Sequence, residues 1–485
     1  MSISATLANA LTGLTAASRA AQVVSNNVAN SMTEGYARRE LSLSARQVGG
    51  SGAGVQVDGV IRMVDETLLR EMRLATAAAG SADVAAGFFS DALAIIGTPE
   101  DISSLGARVT GFETALIEAE SRPDSEARLT NVLTSAQSLA GKLNDISDAF
   151  QQMRVDADER ISVEVGRLND ALSRIASLNE QIVRAKSADH DYPALLDQQQ
   201  KLIDQISELV PLRKLQREND TVALYTLGGA LLLDIKPARF AFTHTEPITP
   251  DMTLASGALS GLSINGQPVT TSGQNAAISG GVLSEFFAVR DFHSVELQSN
   301  LDELARDLVS RFEDPTLDPT LAIGDPGIFT DGGGGLDPLD TSGLAQRISV
   351  NAAVDPRAGG EVWRLRDGLG ATTPGPAGDA TLLSALRSRA EDLRAPAGGT
   401  FSGGSKSVSG FAAALTSIAG QSLQDSRNRL SFETARAESI EEAFLAQGVD
   451  TDRELQKLLL IEQAYAANAR VMKTADDLIQ ILMGL

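Results

Sequence analysis

The sequence predicts an α+β multidomain protein: a discontinuous terminal coiled coil and helical-bundle shaft, with β-rich domains inserted in the middle. Three observations carry that prediction. Heptad-spaced apolar residues occupy both extreme ends of the chain. Longer helical patterns follow the first end and precede the last. Between them lie short alternating runs punctuated by Gly, Pro and Thr, the pattern of strands and turns.

The N-terminal stretch has the sharpest period. Ile3, Leu7, Ala10, Leu14, Ala17, Ala21, Val24 and Val28 step alternately by four and three, the spacing of a coiled-coil seam. Leu458, Ile461, Tyr465, Asn468, Met472, Ala475, Ile479 and Leu482 repeat it at the other end. Each seam is about 40 Å long at 1.5 Å per residue. Equal length at opposite ends predicts that the two helices pair with each other. Asn468 interrupts the second seam, and its position reads either as the edge of the interface or as a buried polar residue that fixes register.

After the first seam comes "SNNVANSMTEGYARRE". Asparagine is poor inside a helix and good at its end, because its amide competes for nearby backbone groups. Asn26, Asn27 and Asn30 therefore predict a helix stop, and Gly35-Tyr36 a turn into the next element. Residues 39–63 alternate, turn through a Gly/Ser cluster and alternate again, which predicts a hairpin. A helix is expected from Asp65 to about Ile96, and a very long one from Asp124 to about Lys186. The long one has a seam through Leu129, Val132, Ala136, Leu139, Leu143, Ile146, Phe150 and Met153. Charges at Asp156–Arg160 break that spacing, and Val165, Leu168, Leu172 and Ile175 restore it. Pro193–Leu209 reads as the antiparallel return.

Beyond Pro211, "TVALYTLGGALLLDI" and "FAFTHTEPI" predict strands. A helix from about Val282 to Phe312 separates them from a second, loop-rich β segment running to about residue 395. From Val408 the chain is helical again, with a break at Gly448.

Composition narrows the function. At 485 residues the chain has room for several cores. With 43% hydrophobic but only 4% aromatic residues, those cores are built from Ala, Leu, Ile and Val. A formal charge of −22 argues against nucleic acid as a partner, since a row of phosphates needs cations. The absence of cysteine excludes disulfides and thiolate metal sites. No uncharged run approaches the roughly 20 apolar residues that cross a bilayer, so no membrane insertion is expected. The first residues carry no basic leader with an apolar block, so an exported form is expected to keep its N-terminus.

No catalytic site is legible. His190, His244 and His293 lie far apart, and His293 with Glu296 reads as a solvated pair. "FSGGSKSVSG" lacks the glycine before lysine that a phosphate loop needs. The carboxylates read as solvated faces. No catalytic, cofactor-binding or metal-ligating residue is assigned, and an enzyme is not expected.

The motifs at the two ends resemble a family. "SNNVANSMTEGYARRE" is similar to the signature of bacterial flagellar rod, hook and hook-associated proteins, an Asn-Asn-x-Ala-Asn core followed by Thr-x-Gly-Tyr. Glu34 stands where that signature usually has proline. "LLLIEQAYAANARVMKTADDLIQILMGL" is similar to the family's C-terminal signature through Gln463, Tyr465, Asn468 and Ala469. The resemblance is specific over roughly the first 100 and last 80 residues. Helices continuing past the first signature resemble the hook-associated branch at the hook–filament junction, and "AQRISVNAAVDPRAGG" and "GDATLLSAL" look like its late segment.

The resemblance implies a structural subunit that is secreted through the flagellar type III channel without signal cleavage. It implies partners: further copies in a ring or helical assembly, hook protein, the second junction protein and a cytoplasmic export chaperone. The implied assembly interface is Ile3, Leu7, Leu14, Val24, Asn26, Asn27, Asn30, Gly35, Tyr36, Leu458, Ile461, Tyr465, Asn468, Met472, Ile479 and Leu482. The expected domains are an inner one of 1–32 and 450–485 and a shaft of 33–209, 282–312 and 396–449. An outer β-rich region would take 210–281 and 313–395. The alternatives are another axial protein of the flagellum, such as the second junction protein or a flagellin, and a type III-secreted coiled-coil adhesin or effector.

Overall fold

The computed structural model describes residues 3–483 apart from 34, 49–50, 189 and 274–275. Two compact units make up the chain, and each draws on separated stretches of sequence.

The first unit comprises residues 1–78, 167–239 and 433–485. It opens with α1 (Ile3–Ala29), whose Ala- and Leu-rich seam forms a helix that ends at the asparagines. Strands β1 (Arg39–Val48) and β2 (Ser51–Arg62) form the expected hairpin, with Arg39 opposite Arg62 and Leu41 opposite Val60. Helix α2 (Glu66–Ile96) begins in this unit, capped by Asp65, whose carboxylate accepts the Thr67 and Leu68 N–H groups. By length and composition alone α2 could cross a bilayer, in contrast to the sequence expectation. Its buried residues here, Leu69, Ala75 and Ala77, face protein. The unit also holds the end of α4 (Glu126–Ser187), the return helix α5 (Pro193–Leu209) and a three-stranded sheet. That sheet is β3 (Leu212–Gln216), β4 (Val222–Thr226) and β5 (Leu231–Leu233). Buried Asn179 of α4 ties it down: its amide donates to the Val222 carbonyl at 3.0 Å and accepts from the Val222 N–H at 3.1 Å.

The second unit comprises residues 79–166 and 240–432. Its core is helical. The seam of α4 is buried throughout from Leu129 to Phe150. It joins the end of α2 and α3 (Leu105–Ser121), a helix with no counterpart among the sequence expectations. Short strands β6 (Phe240–Ala241), β7 (Ser263–Ile264) and β8 (Gln267–Pro268) form one small sheet, so "FAFTHTEPI" supplies two strand residues and not nine. The expected helix at 282–312 is α6 (Gly281–Ala288) and α7 (Ser294–Phe312), joined by one wider turn at Val289–His293.

The segment 313–395 corrects the sequence reading. Only β9 (Phe329–Asp331) and β10 (Ile348–Val350) are strands there. Helices α8 (Leu344–Arg347), α9 (Arg364–Asp367) and α10 (Thr381–Glu391) stand where more β structure was expected. Charged side chains of α7 hold this irregular stretch. Buried Asp302 accepts the Gly343 and Ala345 N–H groups at 2.8 and 2.9 Å. Buried Arg311 is fixed by Asp307 at 2.7 Å and donates to the Arg389 and Asp392 carbonyls. Edge-to-face packing of Phe112 on Phe312 and Phe329 completes the core. Helix α11 (Val408–Leu445) starts in this unit, and α12 (Thr451–Met483) closes the chain.

The break in the α4 seam has a physical cause that spacing does not reveal. Asp158 is 0% exposed, not part of a solvated face. It meets the equally buried Arg290 at 2.5 Å, the His244 Nδ1 at 3.0 Å and the Thr245 N–H at 2.7 Å. A buried carboxylate needs such a set of partners to offset its desolvation. His293 is likewise not paired with Glu296: its Nε2 lies 3.1 Å from Glu285, and its ring packs on Phe88 and Phe89.

Candidate functional site

The N- and C-terminal helices pair antiparallel within the first unit. From α1, Ala10, Leu14, Ala17 and Val24 are buried; Ile3 and Leu7 are half-buried. From α12, Ala475 is buried, and Leu458, Ile461, Met472 and Ile479 are half-buried. Tyr465 departs from its expected seam position, with 49% of its surface exposed. The Leu482 side chain lies outside the described residues.

Asn468 sits in this interface, half-buried. A Cβ on Gly13 would fall 2.8 Å from the Asn468 Oδ1, so the amide occupies space that only glycine leaves open. Its Nδ2 donates to the Ala464 carbonyl of its own helix at 3.0 Å. The residue lies along the seam, and its donor turns to the backbone of its own helix.

The centre of the site is Asn27, which is 0% exposed. Its Nδ2 donates to the Arg39 carbonyl at 2.9 Å and to Glu454 Oε2 at 3.0 Å. Its Oδ1 accepts the Tyr36 hydroxyl at 2.9 Å and the Arg39 N–H at 3.0 Å. Two donors and two acceptor lone pairs are all an amide has, and all are used. One side chain therefore joins α1, the turn, β1 and α12. The three asparagines divide the work. Asn30 donates to the Asn26 carbonyl at 2.9 Å and finishes the helix, while the Asn26 side chain is exposed. Gly35, at φ +77°, makes the turn in a region that favours glycine, and the Tyr36 N–H closes it on the Thr33 carbonyl at 3.1 Å. Glu34 lies outside the described residues.

Charges surround this hub. Glu454 is buried, with Arg38 at 3.5 Å and Lys457 at 3.7 Å from its second oxygen, Oε1. Lys457 donates to Glu40 of β1 at 2.9 Å, and that contact holds the Glu40 pKa below the usual carboxylate range. Arg39 lies over the Tyr36 ring at 4.7 Å and pairs with Asp197 at 2.7 Å; Arg62 joins the same carboxylate at 2.8 Å. Burial pushes the Tyr36 hydroxyl pKa up, against the opposing pull of Arg39. Further along, the Thr12 hydroxyl accepts the Val55 N–H at 3.2 Å, where a Cβ on Gly54 would clash with it.

Sequence reasoning misses Glu454 and Arg38. A signal for the first exists, since Glu454 stands four residues before Leu458 and extends the seam by one step. The arrangement holds no nucleophile beside a base, and among the described residues no three potential ligands gather to hold a metal. The contacts of Asn27 join one element to another.

The family model described as the flagellar hook-associated protein FlgK helical domain matches residues 95–316, and the flagellar basal body rod FlgEFG protein C-terminal model matches 443–485. Flagellar hook-associated protein 1 of Bacillus subtilis (strain 168) is 24% identical over 98% of this chain and 96% of its own length. That of Escherichia coli (strain K12) is 26% identical over 49% of this chain and 44% of its own. The solved structure of the flagellar hook junction protein FlgK from Burkholderia pseudomallei aligns at a TM-score of 0.45. It is 19% identical and covers 54% of this chain and 47% of that one. These matches support identification as a flagellar hook-associated protein, with a structural role at the hook–filament junction and not that of an enzyme.

Proposed function

We propose that the terminal helix pair is the element that holds this hook–filament junction protein in the flagellum, by packing against the terminal helices of neighbouring subunits. One observation carries the reading. Helix α12 has two apolar seams, and α1 covers only one. Leu460, Ala464, Ala467, Val471, Leu478 and Ile481 run at heptad spacing on a second face, and all are exposed, Leu460 by 64%, with Val471 and Leu478 also edging a cavity beside Ile3 and Thr6 of α1. A stripe of that length along one helix is the pattern of a coiled-coil contact awaiting its partner.

Charge supports the same reading. The chain carries −22, yet α1 contains a single charged residue, Arg19, and α12 nearly balances its acids and bases. Copies can therefore approach through their ends without the repulsion of their bodies. The partners in this reading are further copies of the chain, hook protein and the second junction protein, with an export chaperone before assembly. Export proceeds without signal cleavage. The domain division at 1–32 and 450–485 for the inner part belongs to the same proposal.

Complementation tests it. In a strain lacking the gene, the full chain restores filaments, whereas a chain lacking 450–485 leaves hooks without filaments and flagellin spilled into the medium. Filaments restored by the truncated chain would show that the terminal pair is not the attachment.

A further inference from the structure

The two helices of the terminal pair touch through two contacts unlike the rest of the seam: Gly13 with Asn468, and Asn27 with Glu454. Gly13 and Asn27 are two heptads apart in α1; Asn468 and Glu454 are two heptads apart in α12, counted the other way. The two contacts thus express one antiparallel alignment. The far end agrees, because Ile3 and Thr6 share the wall of a cavity with Ala475 and Leu478.

Apolar seams with a strict heptad period do not fix an alignment well. A slip of one heptad lays seam on seam again. The polar contacts do not survive it. Slipping either way brings Asn468 against Thr6 or Ala20, each with a Cβ where Gly13 has none. It leaves Glu454 beside Ala20 or beyond the end of α1, and Asn27 opposite Ile461 or ahead of the start of α12. A buried amide and a buried carboxylate would then lose their partners.

We propose that Asn27–Glu454 and Gly13–Asn468 set the register of the terminal pair, while the apolar seam supplies adhesion with little preference among registers. Through Asn27 the register is read out to Tyr36 and Arg39, so it also fixes where the β1–β2 hairpin departs from the helices.

The chain has no cysteine, so introduced pairs report register without background. Ala16→Cys with Tyr465→Cys stands in the observed alignment. Ala16→Cys with Leu458→Cys, or with Met472→Cys, reports a one-heptad slip in either direction. Oxidising the full chain gives the first cross-link in on the order of tenfold excess over the other two. Adding Asn27→Leu, Glu454→Leu and Asn468→Leu brings the three yields to within about twofold. An unchanged excess overturns the proposal, since the apolar seam would then set register alone. If far-ultraviolet circular dichroism shows that the triple variant has lost its terminal helices, the glycine decides. Gly13→Ala lowers the observed-register yield by driving a Cβ into Asn468, and adding Asn468→Ala restores it. No loss, or no restoration, overturns the proposal equally.

Discussion

Helices α4 and α12 carry the same apolar period, and the protein treats them differently. Every seam position of α4 from Leu129 to Phe150 is buried, surrounded by side chains from α2, α3, α7 and α11 in the second unit. The seam of α12 has one neighbour, α1, and most of its members stay half-exposed. Periodicity states which face is apolar. The number of neighbours decides whether that face becomes a core, and the chain supplies enough of them for α4 but not for α12.

The sharpest way to break the α4 side of this comparison is at its charged interruption. Arg290→Ala leaves the Asp158 carboxylate buried without its ion partner, and should cost about 3–5 kcal/mol of unfolding free energy. Replacing both, Asp158→Leu with Arg290→Met, should recover most of that loss. Denaturant melts of the unsubstituted chain, Asp158→Leu, Arg290→Met and the double variant complete the cycle, and additive losses would show that the pair does not act as a unit.

Matched truncations come next. Leu143→Ala in the α4 seam opens a cavity in a closed core and should cost about 2–5 kcal/mol. Leu460→Ala on the exposed stripe of α12 should change monomer stability by no more than about 0.5 kcal/mol. The same Leu460→Ala chain should nonetheless restore few filaments in a strain lacking the gene. A stable, poorly assembling variant is the outcome that separates the two seams.

Asn27→Ala should cost about 1–3 kcal/mol, because the groups it served lose a buried partner. The loss should fall on the terminal pair and on the start of the hairpin. Amide exchange of α1 and α12 would quicken while that of α4 stayed slow.

The smallest effect is on pH. Lys457 holds Glu40 below the usual carboxylate range, so the folded state keeps that proton off more strongly than the unfolded chain does. The contribution is whole above the ordinary Glu range and disappears as pH falls through the depressed value. Lys457→Met should abolish that acid-side dependence of α12 exchange and leave neutral-pH behaviour nearly unchanged.

These contrasts also explain what is legible in the sequence. Helices α1, α2, α4, α5, α11 and α12 each run for several turns, so their apolar periods repeat often enough to mark them within a few residues. Helices α8 and α9 span a single turn each and show no period, and the Gly, Pro and Asp around them look the same beside a strand as beside a short helix. The segment 313–395 reads as β-rich for that reason. Asp158 reads as solvated because a charge breaking an apolar seam has the same pattern whether the face turns to water or meets Arg290 from a distant stretch of chain. At the candidate site, the motif around Asn27 points to the right place, and spacing pairs the two terminal helices, but spacing does not show which residue of the second helix, Glu454, meets Asn27.

The fourfold use of Asn27 has a consequence for how the protein ages. Spontaneous loss of ammonia from that side chain would leave a carboxylate where Glu454 already places one at 3.0 Å, and would remove both donors. The joint would then repel itself. The reaction begins when the backbone nitrogen of the following residue attacks the amide carbon, which requires a flexible backbone. Here that nitrogen belongs to Val28, inside α1, and the amide is fully enclosed. The helix that Asn27 fastens is thus also what protects Asn27 from hydrolysis, so the working life of the joint and its mechanical integrity depend on the same turn of helix.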